Sequence, residues 1–260
     1  MKIAVSGKGG VGKTLVAGVL AAFFAKKNLK VLAIDADPSP NLALTLGIPI
    51  DQVRKIVPVS ENAELIESKT KTDFDGVYRL SFSVDDIIRD FSVKSPYGVN
   101  LLVMGTVRSA GSGCTCPANA LVRALLRHLL LERNEAVVMD MEAGVEHLGR
   151  GTARHMDTML IVGDSSFKSL ETAKKIYGLA TEMGIKEVFL IGNKVASTDE
   201  GELIQRFTAR NDIPLLGLIP YDKNIMKADM QGETPLKYLN ASEGMVSIQK
   251  MGENLLSLKT

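Results

Sequence analysis

The chain has 260 residues, 45% of them hydrophobic and 23% charged, with a formal net charge of +1. That is the composition of a globular protein with a sizeable core, and it excludes the large basic field that draws nucleic acid or anionic membrane. Two cysteines are too few for a disulfide framework, no run of about 18 apolar residues suits a membrane span, and the opening MKIAVSGKGG has no signal-peptide pattern. A cytoplasmic protein is expected, with no nucleic-acid partner and no stable membrane insertion.

In chain order, residues 2–7 (KIAVSG) read as a buried strand and residues 13–27 as a helix. Between them Gly7-Lys8-Gly9-Gly10-Val11-Gly12-Lys13-Thr14 satisfies G-x-x-x-x-G-K-[ST] in the strand-to-helix context that the motif needs. Glycines let successive backbone N–H groups, including those of Gly9, Gly10, Val11 and Gly12, turn toward phosphate oxygens. The helix N-terminus adds partial positive charge. Lys13 is placed for the β- and γ-phosphates and Thr14 for Mg²⁺, so ATP or ADP with Mg²⁺ is the expected ligand.

Residues 30–36 (KVLAIDA) form the next strand, and Asp35 and Asp37 share a face of the extended chain beyond it. Asp37 can also open a helix as an N-cap. Residues 51–98 are charged and weakly periodic, and read as an insertion or lid within a single domain spanning residues 1–260. A strand at 100–105 precedes GCTC, which holds both cysteines, Cys114 and Cys116. Pro117 then suits a helix start. Thiols near a helix N-terminus ionise more readily, and thiolates bind soft metals such as Zn²⁺ or Ni²⁺. One chain supplies two sulfurs where a closed zinc site takes four ligands; a two-fold homodimer completes a Cys₄ set. The alternative is two small side chains packed as apolar residues.

Residues 136–142 (AVVMDME) end an apolar strand on Asp140, a carboxylate suited to holding Mg²⁺, and Gly144 opens a second switch. Strands follow at 158–164, 187–194 and 214–220, with a helix ending at Gly184 and a capping box at Ser197–Glu200. The tail is helical, with an apolar stripe of Met245, Ile248, Met251, Leu255 and Leu258. Buried strands alternating with helices predict an α/β fold: a doubly wound, mainly parallel sheet flanked by helices, of the P-loop NTPase kind. His128 reads as structural; His147 reads as an ordinary surface or core histidine, with a link between metal and nucleotide as the alternative; His155 is the third histidine.

The second lysine of the loop, Lys8, makes the K-G-G-V-G-K-T stretch resemble the deviant phosphate loop of the ParA, MinD and nitrogenase-iron-protein class of dimeric ATPases. That resemblance implies that Lys8 reaches across a dimer interface to the partner's nucleotide, where a cation stabilises charge on the transferred phosphoryl group. It also implies that Asp37 orients the attacking water, and that Asn193 reads the adenine with the loop around Pro220 on the other side of the base. Together with DADPSPNLA, GCTCPANALVRALLRHLL and DMEAGVEHLGRG, the whole chain resembles the CooC-type nickel-maturation ATPases. The resemblance implies ATP hydrolysis by a homodimer, metal at Cys114 and Cys116, and nickel delivery to a client enzyme, carbon monoxide dehydrogenase or acetyl-CoA synthase. A MinD/ParA-like spatial-organisation ATPase and an iron–sulfur ATPase remain open beside it, though C-x-C departs from the cysteine spacings of the latter.

Overall fold

The computed structural model describes residues 1–37, 39–70, 84–105, 117–132, 135–142, 153 and 155–258. The first half supplies β1 (Lys2–Gly7), α1 (Lys13–Lys26), β2 (Val31–Ala36), α2 (Leu42–Thr45), α3 (Ile50–Val53), α4 (Ala63–Thr70), α5 (Val84–Phe91), β3 (Val93–Lys94) and β4 (Asn100–Val103). The second half supplies α6 (Pro117–Glu132), β5 (Ala136–Met141), β6 (Thr158–Gly163), α7 (Phe167–Glu182), β7 (Glu187–Val195), α8 (Thr198–Arg210), β8 (Leu215–Pro220), α9 (Lys223–Met230) and α10 (Glu243–Ser257).

Among the described residues the strands form one sheet in the order β3-β4-β2-β5-β1-β6-β7-β8. Every pairing is parallel except β3 with β4 at one edge. The strands read as near-continuous apolar runs because both faces are covered. Alternate residues divide between two cores: Ala4, Leu32, Ile34, Val137 and Met139 face one side, and Ile3, Val5, Val31, Ala33 and Val138 the other. Each such fully buried Ile, Leu or Val contributes about 1.5–3 kcal/mol of burial. The expected doubly wound architecture is therefore the one observed.

Local signals act where the sequence places them. Gly184 adopts φ 84° at the end of α7, a left-handed conformation that glycine reaches without steric penalty. Ser197 Oγ accepts from the Glu200 N–H at 3.3 Å, and Glu200 reaches back to the Ala196 N–H at 2.8 Å, one residue before the cap. The stripe Met245, Ile248, Met251 and Leu255 of α10 is buried against α1 and β8. In the 51–98 segment, Val59, Leu65, Ile87 and Ile88 are buried in the core on the α6 side of the sheet, and β3 extends the sheet edge.

Candidate functional site

β1 and β6 are neighbours, yet the helices that follow them pack on opposite faces: α1 belongs to one core and Leu170, Ala173 and Ile176 of α7 to the other. Chains that diverge in this way leave a crevice at the carboxyl ends of the strands, where ligands bind in open α/β sheets. The Gly7–Thr14 loop lies at that point. Gly7, Gly10 and Gly12 all have positive φ, at 147°, 82° and 98°. A Cβ on Gly12 would strike the Asn193 side-chain amide, so this position is closed to any larger residue on both conformational and steric grounds. Gly12→Ala is expected to distort the loop at a cost of about 1–3 kcal/mol and to weaken nucleotide binding roughly tenfold or more, read by titration with a fluorescent nucleotide.

Lys13 opens α1 and is only 7% exposed, whereas Lys8, Gly9 and Gly10 are exposed on the outer turn of the loop. Beneath Lys13 sit two carboxylates. Asp35 of β2 and Asp140 of β5 are register partners on adjacent parallel strands, and neither has any solvent exposure. Asp35 accepts from the Leu42 N–H at 2.9 Å and the Asp37 N–H at 3.2 Å. Burial pushes its carboxyl up to about 6, with those backbone donors opposing the rise. Asp140 is pushed up to about 7 by burial, with the nearby Asp35 adding to the rise. Lys13 and Thr14 oppose it, although the Thr14 hydroxyl approaches without completing a hydrogen bond of good geometry. Both Asp140 oxygens are buried without a hydrogen-bond partner among the described residues, an arrangement that a bound cation or its water would relieve. Hard oxygen donors beside a phosphate loop suit Mg²⁺, so Thr14 and Asp140 fit that ion.

Asp37 is half-buried, and its Oδ1 accepts from the Ser39 N–H at 2.9 Å. The helix-start role weighed for Asp37 falls instead to Asp35, whose Oδ2 holds the first N–H of α2. Asp35 was visible as a second strand-ending carboxylate, the same pattern as Asp140, but nothing local marked it as buried.

Beside the loop opens a cleft of about 660 Å³, within the size range of small-molecule sites. Gly12 and Thr14 of the loop, Leu44 and Thr45 of α2, Asn193 and Pro220 line it. Tyr221 and Met226, nearly half exposed, form an apolar lip suited to a planar base. Asn193 is 3% exposed; its Nδ2 donates to the Val11 carbonyl at 2.7 Å and its Oδ1 accepts from the Lys194 N–H at 2.8 Å. Asn193 thus braces the phosphate loop while lining the base-sized cleft. α2, Tyr221 and Lys194 are cleft residues that the motifs did not announce, because their contribution depends on which segments converge.

Residues 2–236 match the model of the CobQ/CobB/MinD/ParA nucleotide-binding domain. The chain belongs to that family. Within it the chain is of the CooC type: it is 46% identical over 235 residues to the carbon monoxide dehydrogenase accessory protein CooC of Rhodospirillum rubrum, covering 89% of this chain and 88% of that one. An uncharacterized ATP-binding protein of Methanocaldococcus jannaschii is 41% identical over 263 residues, covering 100% of this chain and 99% of its own. A ParA family ATPase from Chlorobium tepidum shares the fold at a TM-score of 0.70 and 19% identity, covering 98% of each chain. The septum site-determining protein MinD of Pyrococcus horikoshii, solved with Mg-ADP, shares it at 0.67 and 22%, covering 99% of this chain and 96% of that one.

For a member of the CobQ/CobB/MinD/ParA family, the structure brings together Lys13, Thr14, Asp140, Asn193 and Pro220, with Asp37 next to Asp35. Cys114, Cys116, Gly144 and His147 lie outside the described residues. Among the described residues no three His, Cys, Asp or Glu side chains gather as a metal site. His128 is half-buried on α6, and no described helix is long and apolar enough to cross a membrane.

Proposed function

We propose that the protein is an ATP-hydrolysing metallochaperone whose homodimer carries Ni²⁺, or Zn²⁺ in its place, on a Cys₄ site shared between Cys114 and Cys116 of each chain, and delivers nickel to an enzyme of the carbon monoxide dehydrogenase or acetyl-CoA synthase type. The observation that carries this reading is the 46% identity to a carbon monoxide dehydrogenase accessory protein, joined to a phosphate loop followed by the C-x-C pair. Met245, Ile248, Met251 and Leu255 of the tail stripe, which a membrane-bound positioning ATPase would offer to lipid, are buried, and Leu258 just past α10 is exposed.

Within one chain, the loop N–H groups and Lys13 bind the triphosphate, and the Asn193 side of the cleft receives the base. Thr14 and Asp140 would hold Mg²⁺, whose chemistry there would be to offset the negative charge of the phosphates. Asp37, just past the end of β2, orients the attacking water, and Lys8 reaches across the two-fold axis toward the partner's nucleotide. Attack on the γ-phosphoryl group yields ADP and phosphate, and reopening of the dimer changes the spacing of the four thiolates. Catalysis of this kind rests on positioning and charge stabilisation, which gives Lys8 a role only when two chains meet.

The test is metal analysis of the purified chain with ATP, ADP or no nucleotide, alongside its molar mass in solution. The wild type is expected to bind one metal ion per pair of chains. Cys114→Ala and Cys116→Ala are each expected to lose that metal while keeping nucleotide binding. Unchanged metal stoichiometry and unchanged dimerisation in both variants would falsify the cysteine site.

A further inference from the structure

Asn193 and Lys194 are consecutive, so in a regular strand their side chains would point to opposite faces of the sheet. Here they do not. Asn193 Nδ2 donates to the Val11 carbonyl at 2.7 Å, and Lys194 Nζ donates to the Gly10 carbonyl at 2.8 Å. Two adjacent carbonyls of the phosphate loop are held by two adjacent residues of β7. Two backbone features make this possible. The pairing of β7 with β8 shifts register between Gly192 and Val195, a bulge that re-aims the strand. Lys194 itself sits at φ 60°, an uncommon conformation for a residue with a long side chain. A strained position next to a ligand loop persists where the surrounding structure holds it.

We propose that Lys194 is a positioning residue for the phosphate loop. In a trans peptide the C=O and the following N–H point in opposite directions. Drawing the Gly10 and Val11 carbonyls toward β7 turns the N–H groups of Val11 and Gly12 away from it, toward the inside of the loop. The Val11 N–H rests there on the Lys8 carbonyl at 3.4 Å, a long contact that a phosphate oxygen can replace. Lys194 also lines the cleft beside Asn193, so the β7 bulge ties the base side to the phosphate side. The loop is set for phosphate before the ligand arrives, which lowers the ordering penalty of binding. This inference rests on the nucleotide-binding reading of the loop.

The experiment compares Mg·ATP, Mg·tripolyphosphate and adenosine on the full chain, the last two by competition with a fluorescent ATP analogue. Lys194→Met keeps the aliphatic stem and removes the donor. It is expected to weaken ATP and tripolyphosphate by the same factor, about tenfold, and to leave adenosine within twofold. Lys194→Arg is expected to recover most of the loss. The effect should persist in 0.5 M NaCl, where long-range attraction between the ammonium and the phosphates is screened. The proposal is overturned if Lys194→Met binds all three ligands like the wild type. It is equally overturned if only the adenosine-containing ligands weaken, or if the loss vanishes in high salt. Thermal unfolding without ligand checks that the variant is folded, and Lys194→Leu, which also lacks a donor, replaces it if it is not. A wild type that binds neither ATP nor tripolyphosphate would instead overturn the nucleotide reading itself.

Discussion

Lys13→Ala is expected to lower ATP hydrolysis by about 10²–10³-fold or more, the scale on which one preorganised charge donor acts in a water-poor site. Lys13 is 7% exposed and stands at the first residue of α1, where its ammonium adds to the partial charge of the helix end. No other lysine or arginine is offered by the motif at the inner end of the loop, since Lys8 is exposed on the outer turn. Lys13→Arg is expected to restore little, because a planar guanidinium cannot occupy the place of a compact ammonium packed under the loop. Lys13→Ala removes a charge that opposes the rise at Asp140, so thermal unfolding without ligand checks that the variant is folded. Single-turnover phosphate release and nucleotide titration measure the effect. A variant that hydrolyses ATP within a few-fold of the wild type would remove Lys13 from the reaction.

Asp140→Asn is expected to move activity and stability in opposite directions. Mg²⁺-dependent hydrolysis should fall by about 10²-fold or more, because the amide replaces the charged partner of the ion. Stability without nucleotide should rise at pH 8 by roughly 1–3 kcal/mol, because a buried carboxylate with no hydrogen-bond partner among the described residues is removed. The sign follows from proton linkage. The folded chain raises Asp35 from 3.8 to about 6 and Asp140 from 3.8 to about 7. Between about pH 4 and pH 7 the folded state therefore binds more protons than the unfolded one. Stability of the nucleotide-free chain is greatest on the acid side of that window. It declines as pH rises through the window and levels off above about 7. Asp140→Asn should flatten the upper part of this decline, and its advantage over wild type should disappear near pH 5, where Asp140 already carries its proton. Melting temperature against pH for the two proteins, without Mg²⁺ or nucleotide, reads all of this. A wild-type profile that rises from pH 5 to 8, or an Asp140→Asn variant less stable at pH 8, would contradict it.

The phosphate loop and the doubly wound sheet were legible because their signals are local and dense. Four glycines, two lysines and a threonine fall in the eight residues 7–14, and the strands around them are the near-continuous apolar runs of a sheet covered on both faces. Asp140 was legible for the same reason, as a carboxylate closing such a run. The resemblance implies a base-reading role for Asn193, but no local signal shows its bond to Val11, because Val11 and Asn193 are 182 residues apart. Asp35 illustrates the same gap. As part of a D-x-D pair it looked subordinate to Asp37, yet register places it directly beside Asp140.

By itself the sequence determined the chemistry on offer: a phosphate loop with two lysines, strand-ending carboxylates, a C-x-C pair and the alternation of strand and helix that winds a parallel sheet. Such features depend on neighbours within a few residues, so short-range sterics and hydrophobic period encode them. Tertiary structure alone decided which of these groups meet. Strand order sets β2 beside β5 and thereby pairs two carboxylates; burial then raises their affinity for protons. A register shift late in β7 turns Asn193 and Lys194 onto the same loop. Those outcomes depend on long-range packing and on the exclusion of water, and no window of the chain contains either.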